Sequence, residues 1–392
     1  MTFCHRFFGF TAALVLIAIA GCKSTPTATS SSEAVLKSGI PITLLYQQGR
    51  EGQIEPCGCH TYPFGGIDRE LNAIQAIRKA RGAEILSVDA GNLFAPEKLV
   101  SPAQFYRERG DLLVKVLNEH GVQVFGPGPA DYALGLDFLR KAQANAKFKF
   151  VSTNVVDKSG NSPFSKFEIV NVGKVPVAVV SVTPETAKLG DGLKVLPPKQ
   201  ALESALKEIG TQAQLVVALS QLATHPENRA LSTAVPGVNI WVGNDAKQTR
   251  DLGDSFGKAL LLDGHRFGYY LGMVSIGLTL PITGFNSPKL IKVNQDILNG
   301  YEAAAKKQVD PAKKAAAEKR ALAIKERGGI ETIAGGSQFE NELIALKEEL
   351  YGTPNELTKW IAAEKERVRE AAINAAPAAP AVRGSKRPAD KK

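Results

Sequence analysis

The chain is 392 residues long, carries a formal net charge of +9, and has 44% hydrophobic and 22% charged residues. That length and apolar content can close a large core, which excludes a wholly disordered protein. Four cysteines in a chain of this size exclude a disulfide-stapled scaffold. Past residue 20 no apolar run reaches the roughly 20 positions that a bilayer-spanning helix needs.

At the front, Arg6 precedes an apolar run over residues 7–20 that stops at Gly21-Cys22. The run is too short to span and ends in small residues, the pattern of a signal peptide over 1–21. Ile19-Ala20-Gly21-Cys22 resembles the lipobox of bacterial lipoproteins, which implies that Cys22 is acylated and becomes the mature N-terminus. Each buried methylene of such an anchor contributes about 0.8 kcal/mol, so several chains hold firmly. Lys23 follows where an aspartate would signal inner-membrane retention, so the expected location is the cell envelope, at the outer membrane facing the periplasm. Residues 22–39, rich in Ser, Thr and Pro, read as a flexible tether.

From 40 to about 288 short β-branched runs alternate with helical patterns, which predicts an α/β layered sheet. Strands are expected over 42–46, 84–89, 122–125, 148–152, 175–182, 215–219, 238–242, 259–262 and 269–280. Helices are expected over 68–81, with Leu71, Ile74 and Ile77 on one face, and over 101–119, with Ser101 as cap and Pro102 in the first turn. Beyond 294 Ala, Lys and Glu dominate, and a helical appendage is expected over 295–374. It comprises a polar helix over 301–327, a Gly-rich break, a helix over 339–351 in which Phe339, Leu343, Leu346 and Leu350 recur at helical spacing, and one over 355–374. Its apolar stripe would pack on its own domain or on a protein partner. Residues 375–392 read as a disordered basic tail. There Arg383, Lys386, Arg387, Lys391 and Lys392 face a single Asp390, a composition suited to an anionic envelope surface or to simple solvation. Nucleic acid is not an expected partner outside the cytoplasm.

The order of motifs over 40–294 resembles the N-terminal metallophosphoesterase domain of the 5'-nucleotidase and UDP-sugar hydrolase family. Gly65-Gly66-Ile67-Asp68-Arg69 is similar to its Gly-Gly-Leu-Ala-Arg helix start, and Leu86-Ser87-Val88-Asp89-Ala90-Gly91-Asn92-Leu93-Phe94 to its Leu-Asp-Ala-Gly-Asp-Leu-Phe signature. Gly135-Leu136-Asp137-Phe138-Leu139, Ser152-Thr153-Asn154-Val155, Thr183-Pro184-Glu185-Thr186 and Val235-Pro236-Gly237-Val238 match further landmarks in order. The resemblance implies an α/β fold with a layered β-sandwich flanked by helices. It also implies a centre in which two divalent metals about 3.5–4 Å apart activate a water.

The ligand positions implied by the resemblance are mostly changed. Asp-x-His-Gly falls on Gly49-Arg50-Glu51-Gly52, the bridging aspartate on Asn92, and Gly-Asn-His-Glu on Gly128-Pro129-Ala130-Asp131. A histidine position falls on Gln221, and the final Gly-His-x-His on Asn244-Asp245-Ala246-Lys247. Glycine, proline and alanine side chains ligate nothing, and neutral Asn92 cannot bridge two dications. The expectation is a degenerate, non-catalytic or repurposed binding protein with no confident catalytic residue. Glu51, Asn92, Gln221 and Asp245 remain candidates for one weak site for a divalent cation such as Ca²⁺, Mg²⁺, Mn²⁺ or Zn²⁺. The alternative is a divergent metal-dependent phosphoester hydrolase using Glu51, Asn92 and Asp245. In that family a C-terminal domain stacks on the nucleoside base, and the expectation here is the helical appendage in its place.

Glu55-Pro56-Cys57-Gly58-Cys59-His60 resembles a Glu-Pro-Cys-Gly-Cys signature in an exported branch of the family. With Cys4 removed and Cys22 acylated, Cys57 and Cys59 are the remaining cysteines. A disulfide, a soft-metal or redox centre that includes His60, and inert thiols all fit this spacing. The Cys-x-x-Cys-His spacing of haem attachment is absent.

Overall fold

The computed structural model describes residues 30–375 apart from 60, 62, 83–84 and 244–250. Cys22, His60 and Asp245, the signal peptide and the basic tail therefore lie outside the described residues. In chain order the first strands are β1 (Ile40–Gln47), β2 (Ile85–Asp89), β3 (Val124–Phe125), β4 (Lys149–Phe150), β5 (Val155–Val156) and β6 (Phe167–Val172). They continue as β7 (Val175–Val182), β8 (Lys194–Val195), β9 (Leu215–Ser220), β10 (Ile240–Gly243) and β11 (Asp254–Phe256). The last are β12 (Ala259–Asp263), β13 (Tyr270–Leu278), β14 (Phe285–Asn286) and β15 (Ser337–Ala345). The helices are α1 (Ser30–Lys37), α2 (Ile67–Arg81), α3 (Ala103–His120), α4 (Pro129–Tyr132), α5 (Leu136–Asn145) and α6 (Pro198–Ile209). After them come α7 (His225–Ala234), α8 (Pro288–Lys307), α9 (Pro311–Arg327), α10 (Glu348–Tyr351) and α11 (Glu356–Ala375).

Two sheets face each other. One runs β14-β15-β13-β1-β2-β3-β4 and the other β11-β12-β10-β9-β7-β6, while β5 and β8 form a small ribbon. The period-two alternation of each strand decides which layer a side chain joins. Along β7, Val175, Val177 and Val179 enter the core between the sheets, and Ala178, Val180 and Val182 face the layer that holds Leu202 and Trp241. In β1, Leu44 and Tyr46 point between the sheets, and Leu45 points outward to Ile74 and Met273. Burial on both faces is what makes these central parallel strands read as unbroken apolar runs. The other outer layer packs α3 and α5 through Phe94, Leu113, Leu117, Phe125 and Leu139.

Four local expectations are corrected. Residues 337–345, expected to be helical, form β15, antiparallel to β13 with Phe339 opposite Ile276 and Leu343 opposite Gly272. A spacing of four is even, so Phe339 and Leu343 share a face in a strand as well as in a helix. Pairing with the distant β13 selects the strand, and Leu350 stays 45% exposed. The expected polar helix over 301–327 is two helices. Pro311 cannot sit inside a helix, and the Asp310 side chain caps α9 by accepting from the backbone N–H groups of Ala312 and Lys313 at 2.9 and 3.2 Å. Residues 30–37 of the expected tether are helical because they dock on β15. The Ser31 and Ser32 hydroxyls donate to the Glu340 carboxylate at 2.9 and 3.0 Å, a contact that composition does not reveal. Finally, Pro102 rather than Ser101 takes the cap position of α3, without a side-chain hydrogen bond. Among the described residues no helix is long and apolar enough to cross a membrane.

Candidate functional site

The loops that leave the carboxyl ends of β1 and β2 are zipped together. Gly49 N–H donates to Gly91 O at 2.7 Å, Glu51 N–H to Asn92 O at 2.9 Å, and Gly52 N–H to Leu93 O at 2.8 Å. The loop after β3 closes the third side. A Cβ on Gly91, whose φ is 87°, would stand 2.3 Å from Gly126 O and 2.7 Å from Gln221 Nε2. A Cβ on Gly128 would meet Asn92 Oδ1 at 2.3 Å and Gln221 Oε1 at 2.8 Å. Asn92 and Gln221 thus converge on Gly128, and only glycine lets the three loops approach so closely.

Glu51 shares the backbone of this cluster but not its focus. With φ at 57°, its carboxylate is turned to Arg266, whose Nε donates at 2.8 Å and whose second guanidinium nitrogen also binds the same oxygen. Burial raises the pKa of Glu51 and Arg266 partly offsets this. Asn92 Oδ1 accepts the Ala130 N–H at 3.1 Å. The Gln221 amide spans Gln48 at 3.4 Å and Gly126 O at 3.5 Å. Asp131, fully buried, accepts from the Phe94 and Gly128 N–H groups at 2.9 Å each, and burial raises its pKa to about 6 against those bonds. The Asn92 and Gln221 side chains therefore bind backbone or a neighbouring amide, and Glu51 is held in an ion pair. Among the described residues no three His, Cys, Asp or Glu side chains come together as a metal-binding group.

Beneath the cluster lies a charge network that the sequence reading missed. Arg50, 2% exposed, is ion-paired with Glu70 and donates to Gln47 Oε1 at 2.5 Å. His120 Nδ1 lies 3.1 Å from the other Glu70 oxygen, and its Nε2 lies 2.9 Å from Ile67 O. Burial works to raise the Glu70 pKa, but Arg50 and His120 outweigh it and bring it to about 2. The neighbouring Asp89 accepts from Gly91 N–H at 2.8 Å, and burial lifts its pKa to about 7 despite that bond and Arg50. The one available signal was an arginine inside a motif that otherwise carries ligands.

A second network was also missed. His225, which lies off every motif position, starts α7 with Nε2 2.8 Å from Asp254 and Nδ1 3.5 Å from Asp263, and Arg229 reaches Asp254 at 3.0 Å. The two carboxylates lie 29 and 38 residues further along the chain, so no local pattern announces them. His265 packs against Tyr270 with the rings tilted by 44° and their centroids 4.5 Å apart.

Cys57 and Cys59 sit at the rim, in a loop closed by the Pro56–Gly65 bridge and by Cys57 N–H donating to Phe64 O at 2.8 Å. Both are thiols, Cys57 partly exposed and Cys59 exposed. A neighbouring cleft of about 520 Å³ is lined by Glu51, Lys98, Phe105, Arg109, Arg266 and Phe267. Phe267 holds a φ of 64°, a costly conformation for a bulky residue, and Arg266 lies over its ring at 5.0 Å.

No protein-family profile matches the chain. A 5'-nucleotidase of Vibrio vulnificus (strain CMCP6) is 24% identical over 236 residues, which cover 57% of this chain and 40% of that protein. The uncharacterised metallophosphoesterase YunD of Bacillus subtilis (strain 168) is 24% identical over 250 residues, 62% of this chain and 53% of YunD. The alignments thus span about half the length, or less, of these curated relatives. Among solved structures, the 5'-nucleotidase precursor from Thermus thermophilus superposes with a TM-score of 0.60 at 17% identity, covering 84% of this chain and 59% of that one. The calcineurin-like phosphoesterase YfkN from Bacillus subtilis gives 0.59 at 14% identity, covering 84% and 98%. The relatives in sequence and the neighbours in structure are 5'-nucleotidases and calcineurin-like metallophosphoesterases, and this chain has their fold, a mixed α/β architecture of sheets flanked by helices.

Proposed function

We propose that this chain is a lipid-anchored envelope protein in which the two-metal centre of the metallophosphoesterase fold has been dismantled and the former active-site cleft serves as a binding surface. The observation that carries the reading is the Glu51–Arg266 ion pair. Glu51, a carboxylate on a position where the resemblance implies a ligand, is paired with a guanidinium instead of being offered to a cation. Gly49 and Ala130 supply no donor, and the Asn92 oxygen is bound to a backbone N–H, so the described donors do not fit a pair of dications.

The test is metal analysis of the freshly purified full chain, followed by a phosphoester screen with added Mg²⁺, Mn²⁺, Ca²⁺ and Zn²⁺. Substoichiometric metal and no turnover are expected. Two ions per chain, or divalent-dependent hydrolysis that disappears in Asn92→Ala, would overturn the reading in favour of an active phosphoesterase. The 5'-nucleotidase names of the relatives favour that second reading.

The anchor rests on Cys22 and its lipobox-like context, with the outer membrane as the proposed site. Acyl labelling that persists in Cys22→Ala would overturn it. The basic tail is proposed to touch anionic envelope lipid or polymer, and the segment after residue 294 to meet any protein partner. No role with nucleic acid is proposed.

A further inference from the structure

We propose that Cys57 and Cys59 form a dithiol that reduces an accessible disulfide and is itself converted to an intramolecular Cys57–Cys59 disulfide. This does not rest on the state of the metal centre. Four features of the loop support it.

The two sulfurs belong to residues separated only by Gly58, and the Cys59 thiol is hydrogen-bonded to the Cys57 sulfur. The base of the loop is pinned next to Cys57 by the Pro56–Gly65 bridge and by Gly65 N–H donating to Leu346 O at 3.1 Å. A Cβ on Gly58 would meet nothing within 4 Å, so no neighbour obstructs the turn that must tighten when the sulfurs join. Cys57, which would carry the mixed disulfide, is partly exposed, and the resolving Cys59 beside it is exposed.

The surroundings also divide the labour between the thiols. Burial opposes ionisation of Cys57, but hydrogen bonds from Cys59 and the Phe64 backbone, together with the Arg69 guanidinium, lower its pKa below the ordinary thiol value. Its hydrogen bond and charge in turn raise that of Cys59. A thiolate beside a cation is the attacking group, and its higher-pKa neighbour is the resolving one. Tyr269 and Tyr270, whose phenols feel the thiolate charge, wall the same side.

The chemistry balances. The Cys57 thiolate attacks one sulfur of the substrate disulfide, forming a mixed disulfide and expelling the other sulfur as a thiolate. Cys59 then loses its proton and attacks the Cys57 sulfur, which forms the intramolecular disulfide and expels the second substrate thiolate. The substrate gains two electrons and two protons, and the protein dithiol loses them.

The experiment uses the full chain with Cys4→Ser and Cys22→Ser, so that two thiols remain of the four cysteines. The probes are oxidised glutathione, as a small disulfide, and insulin, as a protein disulfide. Expected with glutathione is loss of two hydrogens by mass with no retained adduct. Cys59→Ser should keep one glutathionyl adduct, and Cys57→Ser should react at least about tenfold more slowly. A faster single reaction with insulin than with oxidised glutathione would place the natural substrate among proteins, and the reverse among small disulfides. Both sulfurs glutathionylated without ring closure would overturn the proposal. So would equal rates at Cys57 and Cys59, or stoichiometric copper or zinc bound through both sulfurs. The phosphoester screen reads none of these, so the two proposals fail independently.

Discussion

The Arg50 guanidinium and the Glu70 carboxylate are ion-paired in the interior, each 2% exposed, directly under the loop where the fold's relatives would be expected to bind metal. A fixed cation thus stands close to Asp89 as well as Glu70. Breaking such a pair leaves an uncompensated buried charge, which costs about 3–5 kcal/mol. Arg50→Met is expected to destabilise by that amount in urea unfolding, and Arg50→Met with Glu70→Met by clearly less. Glu70→Met alone closes the cycle, and a double-variant loss equal to the sum of the two single losses would mean that the pair carries no coupling.

The pH dependence of stability follows from opposite shifts at two neighbouring carboxylates. Glu70 has a folded pKa of about 2, below the unfolded value of about 4.3, so its contribution is complete above the unfolded value and disappears as pH falls toward 2. Asp89 is raised to about 7, so it favours the folded state fully only below its unfolded value of about 3.9, and that advantage is lost as pH rises through 7. Asp89→Asn keeps an oxygen for the Gly91 N–H and cannot ionise. It should therefore be more stable than the parent at pH 8 by about 1–3 kcal/mol and indistinguishable below about pH 4. Thermal melts across pH check this, and parallel curves would refute the assignment.

Gly128→Ala tests whether the three loops are jammed together. The added methyl would meet Asn92 Oδ1 at 2.3 Å and the Asn92 backbone nitrogen at 2.8 Å. Loss of about 2–4 kcal/mol is expected, since backbone on both sides must shift. Gly58→Ala, which meets nothing within 4 Å, should cost under about 1 kcal/mol. Similar losses at both positions would show that the close approach at Gly128 is not what holds the site.

The strand at 337–345 makes its own prediction. Phe339 is fully buried between the sheets and Leu350 is 45% exposed. Phe339→Ala should cost about 3–5 kcal/mol and Leu350→Ala within about 0.5 kcal/mol. On an amphipathic helix with both residues on its apolar stripe the two losses would be comparable, so equilibrium unfolding of the pair separates the structures.

The local code was legible wherever the signal lay within a few residues. The apolar runs of β1, β7 and β9, and the α2 face with Leu71 and Ile74, follow from period and composition alone. So does the absence of a ligating side chain at Gly49 and Ala130, because a side chain without a donor atom cannot acquire one by folding. What the sequence could not determine were relationships whose partners lie far apart in the chain. Phe339 and Leu343 are compatible with either period until β13 offers an edge to pair with. Glu51 reads as a candidate ligand until Arg266, 215 residues on, neutralises it. His225 reads as solitary until Asp254 and Asp263 are brought against it. Side-chain identity fixes which interactions are available, and only the packed chain decides which of them are made.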